Sequence, residues 1–380
     1  MPVIKGNGYG LTLPRLAREA TRLGVDSVAV GTPFEVEAVA ARFTGDILVL
    51  QPWDPRDTIA ARAWAAIDAT STASRVVRTV ASTDILHRIA QDATSEVQIV
   101  LEGLTSMRRF GLEEPNLDAV LADDTIRRAL HSGRIRLRGA AVHLPINEPS
   151  SPQVATLNSS PSEAQLSDQA SNRVRETWGW AVTWIRALAS LEDAGIPLTR
   201  DATTIWVSHL SDAELVDLRA ALPTIPLRLR AGTRLWLGDP DSMQAMGTVL
   251  AVHPVDKGRE VGYRQRRAPR SGFLVIVGGG TSHGVGMAAP SATTSLRARA
   301  IAAGTGALEA VGRARSPFSW ADRLRWFAEP PHMQVSMVWL GEDDLREGLA
   351  AGYRTPAVGD QWPCRIRHTT ASFDRIVGLD

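Results

Sequence analysis

The stretch Pro2-Val3-Ile4-Lys5-Gly6-Asn7-Gly8-Tyr9-Gly10 decides how this chain is read. Val3 and Ile4 read as the end of a buried strand, and the glycine-rich run from Gly6 to Gly10 reads as the loop that follows it. An amine at position 5 then emerges from the C-terminal end of a strand, which is where parallel α/β folds carry out chemistry. Composition makes that amine conspicuous, because Lys5 and Lys257 are the only lysines among 42 lysines and arginines in 380 residues. Arginine cannot replace an amine that must lose its proton and attack a carbonyl, since guanidinium stays charged and is a poor nucleophile. Rarity alone fits an ordinary surface lysine equally well, so the surroundings of Lys5 carry the weight.

Outward from this stretch, strands and helices alternate. Leu13, Leu16, Ala17, Ala20 and Leu23 recur at helical spacing, Ser27 to Val30 reads as a strand, and Pro33 opens another helix. Further strands are expected at Asp46 to Leu50, Ala65 to Asp68, Val76 to Val80, Val97 to Leu101, Ile135 to His143, Thr204 to Ser208 and Pro226 to Arg230. Repeated units of this kind predict an α/β fold, a (β/α)8 TIM-type barrel over residues 1–232. A doubly wound open sheet would give a similar list, and the polar residues at the strand ends favour the barrel. Between Asn147 and Asn172 the chain turns to Ser, Pro, Gln and Asn, which predicts a flexible surface loop inserted in the barrel domain at 147–172. In the helix after it, Trp178, Trp180 and Trp184 are expected to pack in the core, with one ring leaning outward.

Past Gly232 the helical periodicity fades. Gly247 to Val252, Phe273 to Val277, Gln334 to Leu340 and Cys364 to Thr370 read as strands of a β-rich C-terminal domain over 233–380, with a helix from Ser295 to Ala314 inserted in it. Gly278 to Gly284 follows a strand with no clear helix after it, so it reads as a loop rather than a phosphate cradle.

With 44% hydrophobic residues the chain can bury two cores, as a soluble two-domain enzyme would. A net charge of +1 gives no electrostatic case for nucleic acid or an acidic membrane surface. No apolar run approaches the roughly 20 residues of a membrane span, and no charged-then-apolar leader precedes the first strand, so a cytoplasmic protein is expected. The single cysteine, Cys364, excludes an internal disulfide and a cysteine-rich zinc site, and no metal is expected.

The Lys5 segment resembles the signature of the alanine racemase family, fold-type III enzymes dependent on pyridoxal 5'-phosphate, whose text runs Val-Val-Lys-Ala-Asn-Ala-Tyr-Gly-His-Gly. Here Gly6 and Gly8 replace both alanines, and Leu11-Thr12 replace the final His-Gly. By this resemblance Lys5 is the Schiff-base lysine and Tyr9 a phosphate ligand. Arg230-Ala231-Gly232-Thr233 is similar to the family's Arg-Pro-Gly-Ile. It implies that Arg230 donates to the cofactor's ring nitrogen and that the backbone amides of Gly232 and Thr233 hold its phosphate. An arginine there keeps the ring nitrogen unprotonated and the ring a weaker electron sink, which limits side reactions.

Met107-Arg108-Arg109-Phe110-Gly111 is similar to the family's Met-Gly-Arg-Leu-Gly, making Arg109 the residue that orients the substrate carboxylate. Glu102 stands where the family often carries a lysine carbamate, and its fixed carboxylate is expected to do the carbamate's work. His143 matches the family's Thr-His and is expected near the cofactor ring and Arg230. Val207 to Asp212 is similar to His-x-Ala-Asn-Ser and makes Ser211 a phosphate ligand, in a register two residues off. Val261-Gly262-Tyr263-Arg264 resembles Val-Ser-Tyr-Gly, which bears the family's second acid/base, and Tyr9 and Tyr263 are two of only three tyrosines. The resemblance implies a homodimer in which Tyr263 faces the partner's cofactor opposite the lysine, since racemisation removes a proton from one face of a carbanion and returns it to the other.

The chain also departs from the family pattern. Pro331 to Val335 replaces Val-Cys-Met-Asp-Gln, so Met333 matches a substrate-binding position while Gln334 replaces an aspartate at the substrate entrance. Phe373 falls where a phosphate-binding tyrosine is usual. Only four residues precede Lys5, where the resemblance leads one to expect a further strand and helix; either the start is assigned too late or the segment is short, and in the short case poor barrel closure and poor cofactor retention are expected. The expected function is racemisation of alanine by two bases, yielding D-alanine for peptidoglycan. The alternatives are a racemase of broader or different specificity, a fold-type III decarboxylase, and a non-catalytic carrier of the cofactor.

Overall fold

The computed structural model describes residues 1–114, 117–149, 169–239, 241–287 and 314–378. The chain divides into two compact units, Met1–Gly8 with Thr12–Trp236, and Tyr9–Leu11 with Leu237–Asp380. In the first unit the helices are α1 (Leu13–Arg22), α2 (Val36–Ala40), α3 (Thr58–Asp68), α4 (Thr83–Asp92), α5 (Leu117–Ala122), α6 (Asp124–His131), α7 (Asn172–Asp193) and α8 (Asp212–Ala221). The strands are β1 (Ser27–Val30), β2 (Asp46–Pro52), β3 (Val76–Val80), β4 (Val97–Gly103), β5 (Ile135–Val142), β6 (Ile205–Val207) and β7 (Leu227–Leu229). They pair in parallel in chain order, β1 to β7. All residues of β1 and of β3 are buried, because a parallel sheet is covered on both faces and its strands read as continuous rather than alternating runs.

The sheet closes through the first residues of the chain. Pro2 bridges Ala231 beyond β7 and Val3 bridges Ala29 in β1, both in parallel. Val3 N donates to Ala231 O (2.8 Å), Ala29 N to Pro2 O (2.9 Å) and Ile4 N to Ala29 O (2.6 Å). The segment is therefore an eighth stave joined to both edges, and the expected (β/α)8 barrel followed by a β-rich unit is what the structure shows. Weak closure, expected from the short start, is not seen, because two residues suffice to satisfy both edges. Trp236 adds a side-chain hydrogen bond from Nε1 to Val3 O (2.8 Å).

Inside the barrel, Val3, Ala29, Leu48, Val77, Val100, Ala141 and Trp206 meet in one layer. Alanines at 29 and 141 leave room for the Trp206 indole, whose Nε1 donates to Arg138 O (2.7 Å). Near the opposite end from the strand C-termini, Arg228 holds both oxygens of Asp26 (2.6 and 2.7 Å). That hydrogen-bonded pairing keeps the Asp26 carboxyl down at about 2. All three tryptophans of α7 are buried, Trp184 completely, so none leans outward as expected. A Cβ on Gly103, at the end of β4, would come within 2.7 Å of the Trp180 indole, which is why that position is glycine.

The stretch from Ala65 to Asp68 is the last turn of α3 and not a strand. Asp57 caps that helix by accepting from Ala60 N (2.9 Å), alanine favours helix, and Trp64 and Ile67 turn to the same buried side. Residues 150–168 of the expected 147–172 loop, and 295–313 of the expected helix, lie outside the described residues.

In the second unit the strands are β8 (Met246–Val255), β9 (Glu260–Val261), β10 (Arg266–Arg267), β11 (Gly272–Gly278), β12 (Arg315–Trp320), β13 (Arg323–Phe327), β14 (Val335–Gly341) and β15 (Gln361–Pro363). Six of these form an antiparallel sheet in the order β12-β13-β14-β11-β8-β15, while β9 and β10 make a separate hairpin. Val249, Val275, Val277, Phe318, Val338, Leu340 and Trp362 form its core. The strand expected from Cys364 to Thr370 lies earlier, at β15. Beyond it Cys364 N donates to Ala245 O (2.8 Å) and Arg365 N to Pro317 O (2.9 Å), so successive residues change neighbours and no ladder can continue. His368–Thr370 is a 3-10 turn.

Since Val3 is 5% exposed and lies in the closing stave, Val3→Ala removes two buried methyl groups from the inner layer. The expected loss is about 2 kcal/mol of unfolding free energy in urea titration, and an unchanged midpoint would show that the layer does not depend on this stave.

Candidate active site

The C-terminal rim of the barrel gathers the charged residues singled out in the sequence. Lys5 follows the closing stave, Gly31 follows β1, Glu102 ends β4 with Gly103, His143 follows β5, Ser208 and His209 follow β6, and Arg230 follows β7. Arg230 is the buried centre of the group, with a side chain 3% exposed. Its Nη2 donates to Val142 O (2.7 Å) and lies 3.5 Å from His143 Nδ1, and its Nη1 stands 3.9 Å from Glu102 Oε2. Its Nε is buried and without a hydrogen-bond partner among the described residues. A fully buried, unused N–H on a cation is costly unless something accepts from it.

His143 Nδ1 also lies 3.0 Å from Ser208 Oγ. Guanidinium can only donate, so Nδ1 faces Arg230 as an acceptor and the ring proton sits on Nε2. Burial and then the charges of Arg230 and Arg109 push the His143 pKa down to about 2, which keeps the ring neutral. His209 meets it edge to face at 5.0 Å, with φ 60, and burial followed by Arg230 lowers its pKa as well.

Lys5 is exposed at the barrel mouth, yet the protein around its amine removes enough water to lower its pKa. Arg109 and Arg230 lower it further, while Glu35 acts in the opposite direction. Glu35 was not anticipated. Its Oε1 accepts from Gly6 N (2.9 Å) and its Oε2 from Gly31 N (2.6 Å), so one carboxylate ties the loop after Lys5 to the loop after β1. Nothing in periodicity could reveal this, because Glu35 and Gly6 are 29 residues apart. Gly31 itself packs against Lys5, with a would-be Cβ 3.2 Å from the lysine's.

Glu102 is 1% exposed, and burial raises its pKa against the pull of Arg230 and then Arg109. Its closest cation is thus Arg230, and Arg109, expected to be its partner, acts on it more weakly. Arg109 is exposed on the loop after β4, beside the Phe110 ring at 5.1 Å. Glu176, fully buried in α7, holds that loop by accepting from Ser106 N (2.5 Å) and Ser106 Oγ (2.8 Å). Ser211 caps α8, where its hydroxyl accepts from Glu214 N (3.2 Å) and its own N–H donates to Glu214 Oε2 (2.8 Å). Gly232 and Thr233 lie at the start of a short helix, Thr233–Trp236.

Other singled-out residues belong to the second unit. Tyr9 is 5% exposed with φ 56 and groups with Gly10 and Leu11. A Cβ on Gly10 would come within 2.9 Å of the Phe373 ring, which packs directly on this segment. Tyr263 and Met333 are 84% and 71% exposed. The structure therefore brings Lys5, Glu102, Arg109, His143 and Arg230 together on one rim, with Tyr263 and Met333 standing on the other unit.

A closed parallel barrel with a lysine, a buried arginine and a neutral histidine on its C-terminal rim defines a class of lysine-centred barrel proteins, and comparison with known proteins narrows it. Residues 1–187 match the family model described as alanine racemase, N-terminal domain. An alanine racemase of Nitratidesulfovibrio vulgaris is 29% identical over 288 residues, 74% of this chain and 68% of that protein. An alanine racemase structure from Clostridium difficile superposes with a TM-score of 0.59 at 15% identity, covering 96% of this chain and 79% of that one. The alanine racemase of Bartonella henselae with covalently bound pyridoxal phosphate gives 0.57 at 16% identity, covering 97% and 83%. Residues 1–187 thus match the alanine racemase N-terminal domain, and the chain is similar to alanine racemases in sequence and fold. Among the described residues no helix is long and apolar enough to cross a membrane.

His143 supplies a prediction about acid. An unfolded histidine takes up its proton near pH 6.5, whereas His143 in the folded protein resists protonation down to about 2. Its folded pKa is depressed, so its contribution is complete above about pH 6.5 and is lost as pH falls toward about 2. His143→Gln should accordingly lose less stability on acidification, by up to ~1.4 kcal/mol per pH unit below about pH 6.5. Denaturant titrations at several pH values would show this, and parallel pH profiles for the two proteins would refute it.

Proposed function

We propose that the protein is a pyridoxal-phosphate-dependent amino-acid racemase that interconverts L- and D-alanine with two bases and works as a homodimer. The observation that carries this reading is the unpartnered Nε of fully buried Arg230, set beside a neutral His143 and an amine of lowered pKa at Lys5. A cation committed to the barrel end with a free donor suits an acceptor that carries no proton, as a ring nitrogen does. The residues present therefore fit the cofactor. Lys5 would hold it covalently, Arg230 would face its ring nitrogen, His143 would lie beside the ring, and Tyr9, Ser211, Gly232 and Thr233 would surround its phosphate.

When bound, pyridoxal phosphate supplies the electron sink that makes loss of a substrate α-proton accessible. The chain's own groups do the rest. The Arg109 guanidinium binds and orients the substrate carboxylate. Lys5 Nζ, with its pKa lowered, moves a proton at one face of the α-carbon. The Tyr263 hydroxyl, contributed by a second copy, moves the proton at the other face. Glu102 offsets the buried charge of Arg230 and, more weakly, that of Arg109. D-alanine made in this way would feed peptidoglycan in the cytoplasm.

Borohydride reduction of the cofactor-loaded protein followed by peptide mapping should place the label on Lys5. Lys5→Ala should abolish the visible absorbance of bound cofactor and lower racemisation by about 10³-fold or more. A label on Lys257, or an unchanged spectrum in the variant, would overturn the assignment. A carrier of the cofactor would bind it yet show neither α-proton exchange nor interconversion.

A further inference from the structure

Tyr263 sits in the turn between β9 and β10, where an 84% exposed phenol would ordinarily sample several rotamers. Two side chains of the same unit, Glu329 and His332, oppose that. Glu329, 3% exposed, accepts from the backbone N–H of Tyr263 through Oε1 (3.0 Å) and of Arg264 through Oε2 (3.3 Å). The same Oε1 lies 2.6 Å from His332 Nε2, and a carboxylate only accepts, so that nitrogen carries a proton. The His332 ring in turn lies under the phenol, with ring centroids 4.3 Å apart and planes inclined by 35°.

The platform is rigid. Pro330 and Pro331 fix the backbone between Glu329 and His332. The His332 main chain donates to Val335 O (3.0 Å) and accepts from Thr281 N (2.8 Å). Burial alone would raise the Glu329 pKa, but the hydrogen bonds from His332, Tyr263 and Arg264 outweigh it, so the carboxyl stays ionised in its acceptor role. Space for that carboxylate depends on Gly262, which has φ 74 and whose would-be Cβ would come within 2.3 Å of the Glu329 carboxyl carbon. The serine that stands at this place in the family's Val-Ser-Tyr-Gly would collide with Glu329. Gly262, Glu329 and His332 thus form one mutually dependent set around Tyr263.

We propose that Glu329 and His332 are positioning residues for Tyr263: the carboxylate fixes the turn's backbone and the imidazole, and the imidazole fixes the direction of the phenol. This rests on reading Tyr263 as the second base. A base that attacks one face of an α-carbon must be held within a fraction of an ångström, and misplacement by about 1 Å costs on the order of 10²-fold. The set therefore bears on one proton transfer and leaves the other alone.

The test uses the cofactor-loaded full chain in heavy water and follows α-deuterium entry into each alanine enantiomer alongside racemisation and the visible spectrum of bound cofactor. His332→Ala should leave the spectrum unchanged and lower exchange on the face served by Tyr263 by about 10- to 100-fold, with exchange on the Lys5 face falling far less. His332→Phe keeps a ring under the phenol and should restore most of the loss, while Glu329→Gln should fall between. Equal loss on both faces, wild-type exchange in His332→Ala, or failure of phenylalanine to rescue overturns the proposal. Tyr263→Phe is the control: if it retains exchange on both faces, the two-base reading itself falls and takes the proposal with it. If it loses one face while His332→Ala loses neither, only the positioning role falls.

Discussion

Backbone pairing of the closing stave is the constraint from which the barrel unit follows. Pro2 and Val3 each reach a different neighbour, so the hydrogen bonds that join β7 to β1 all pass through a segment of about four residues. Were they absent, both β1 and the end of β7 would carry open edges, and the inner layer would lose Val3. The same pairing sets the register of Lys5. A strand shifted by one residue points each side chain to the opposite face, so the pairing that closes the barrel also decides that the residue after Ile4 opens onto the rim.

On that rim the charges do not balance pairwise. Lys5, Arg109 and Arg230 act on one another unfavourably, and each lowers another's affinity for protons or is lowered in turn. Glu35 and Glu102 oppose them from two sides, but Glu35 is committed to two backbone amides and Glu102 is itself pushed toward its neutral form by burial. An excess of positive charge around a neutral histidine is expensive in an empty cleft and favourable around an anion. An anionic ligand would answer that excess, and the lowered amine pKa at Lys5 reflects burial first and the charges of Arg109 and Arg230 after it.

Much of this was legible in the sequence because it is local. Val3-Ile4 before Lys5 and Gly139-Ala140-Ala141-Val142 before His143 are short apolar runs, and Arg230 closes Leu227-Arg228-Leu229. Ala65 to Asp68 misled because a short buried run has no period long enough to separate helix from strand, and the deciding signals, the Asp57 cap and the Trp64 and Ile67 spacing, lay upstream or within it. β12 and β13 went unseen because Ser316 and Arg325 fill buried positions, so the alternation in burial has no apolar counterpart in the text. Glu35, Glu176 and Glu329 were invisible for another reason. Each acts on backbone amides 29, 70 and 66 residues away, a relation only the folded chain creates. The closing stave was not legible because its pairing rests on isolated bridges at Pro2 and Val3 and not on a ladder long enough to mark a strand.

The two groups proposed to move protons are prepared by opposite means. Lys5 is tuned by its surroundings, since burial and two arginines set its proton affinity while Glu35 fixes the loop beside it. Tyr263 is left in solvent and prepared by geometry, through a turn held at two amides and a ring laid on another ring. A rim crowded with cations can adjust an amine but would be a poor place to direct a mobile phenol. An exposed turn cannot adjust a pKa by burial but can be locked in direction by a buried carboxylate. Changing Glu35 or Arg109 should then alter how readily a proton leaves one group, whereas changing Glu329 or His332 alters where the other group points.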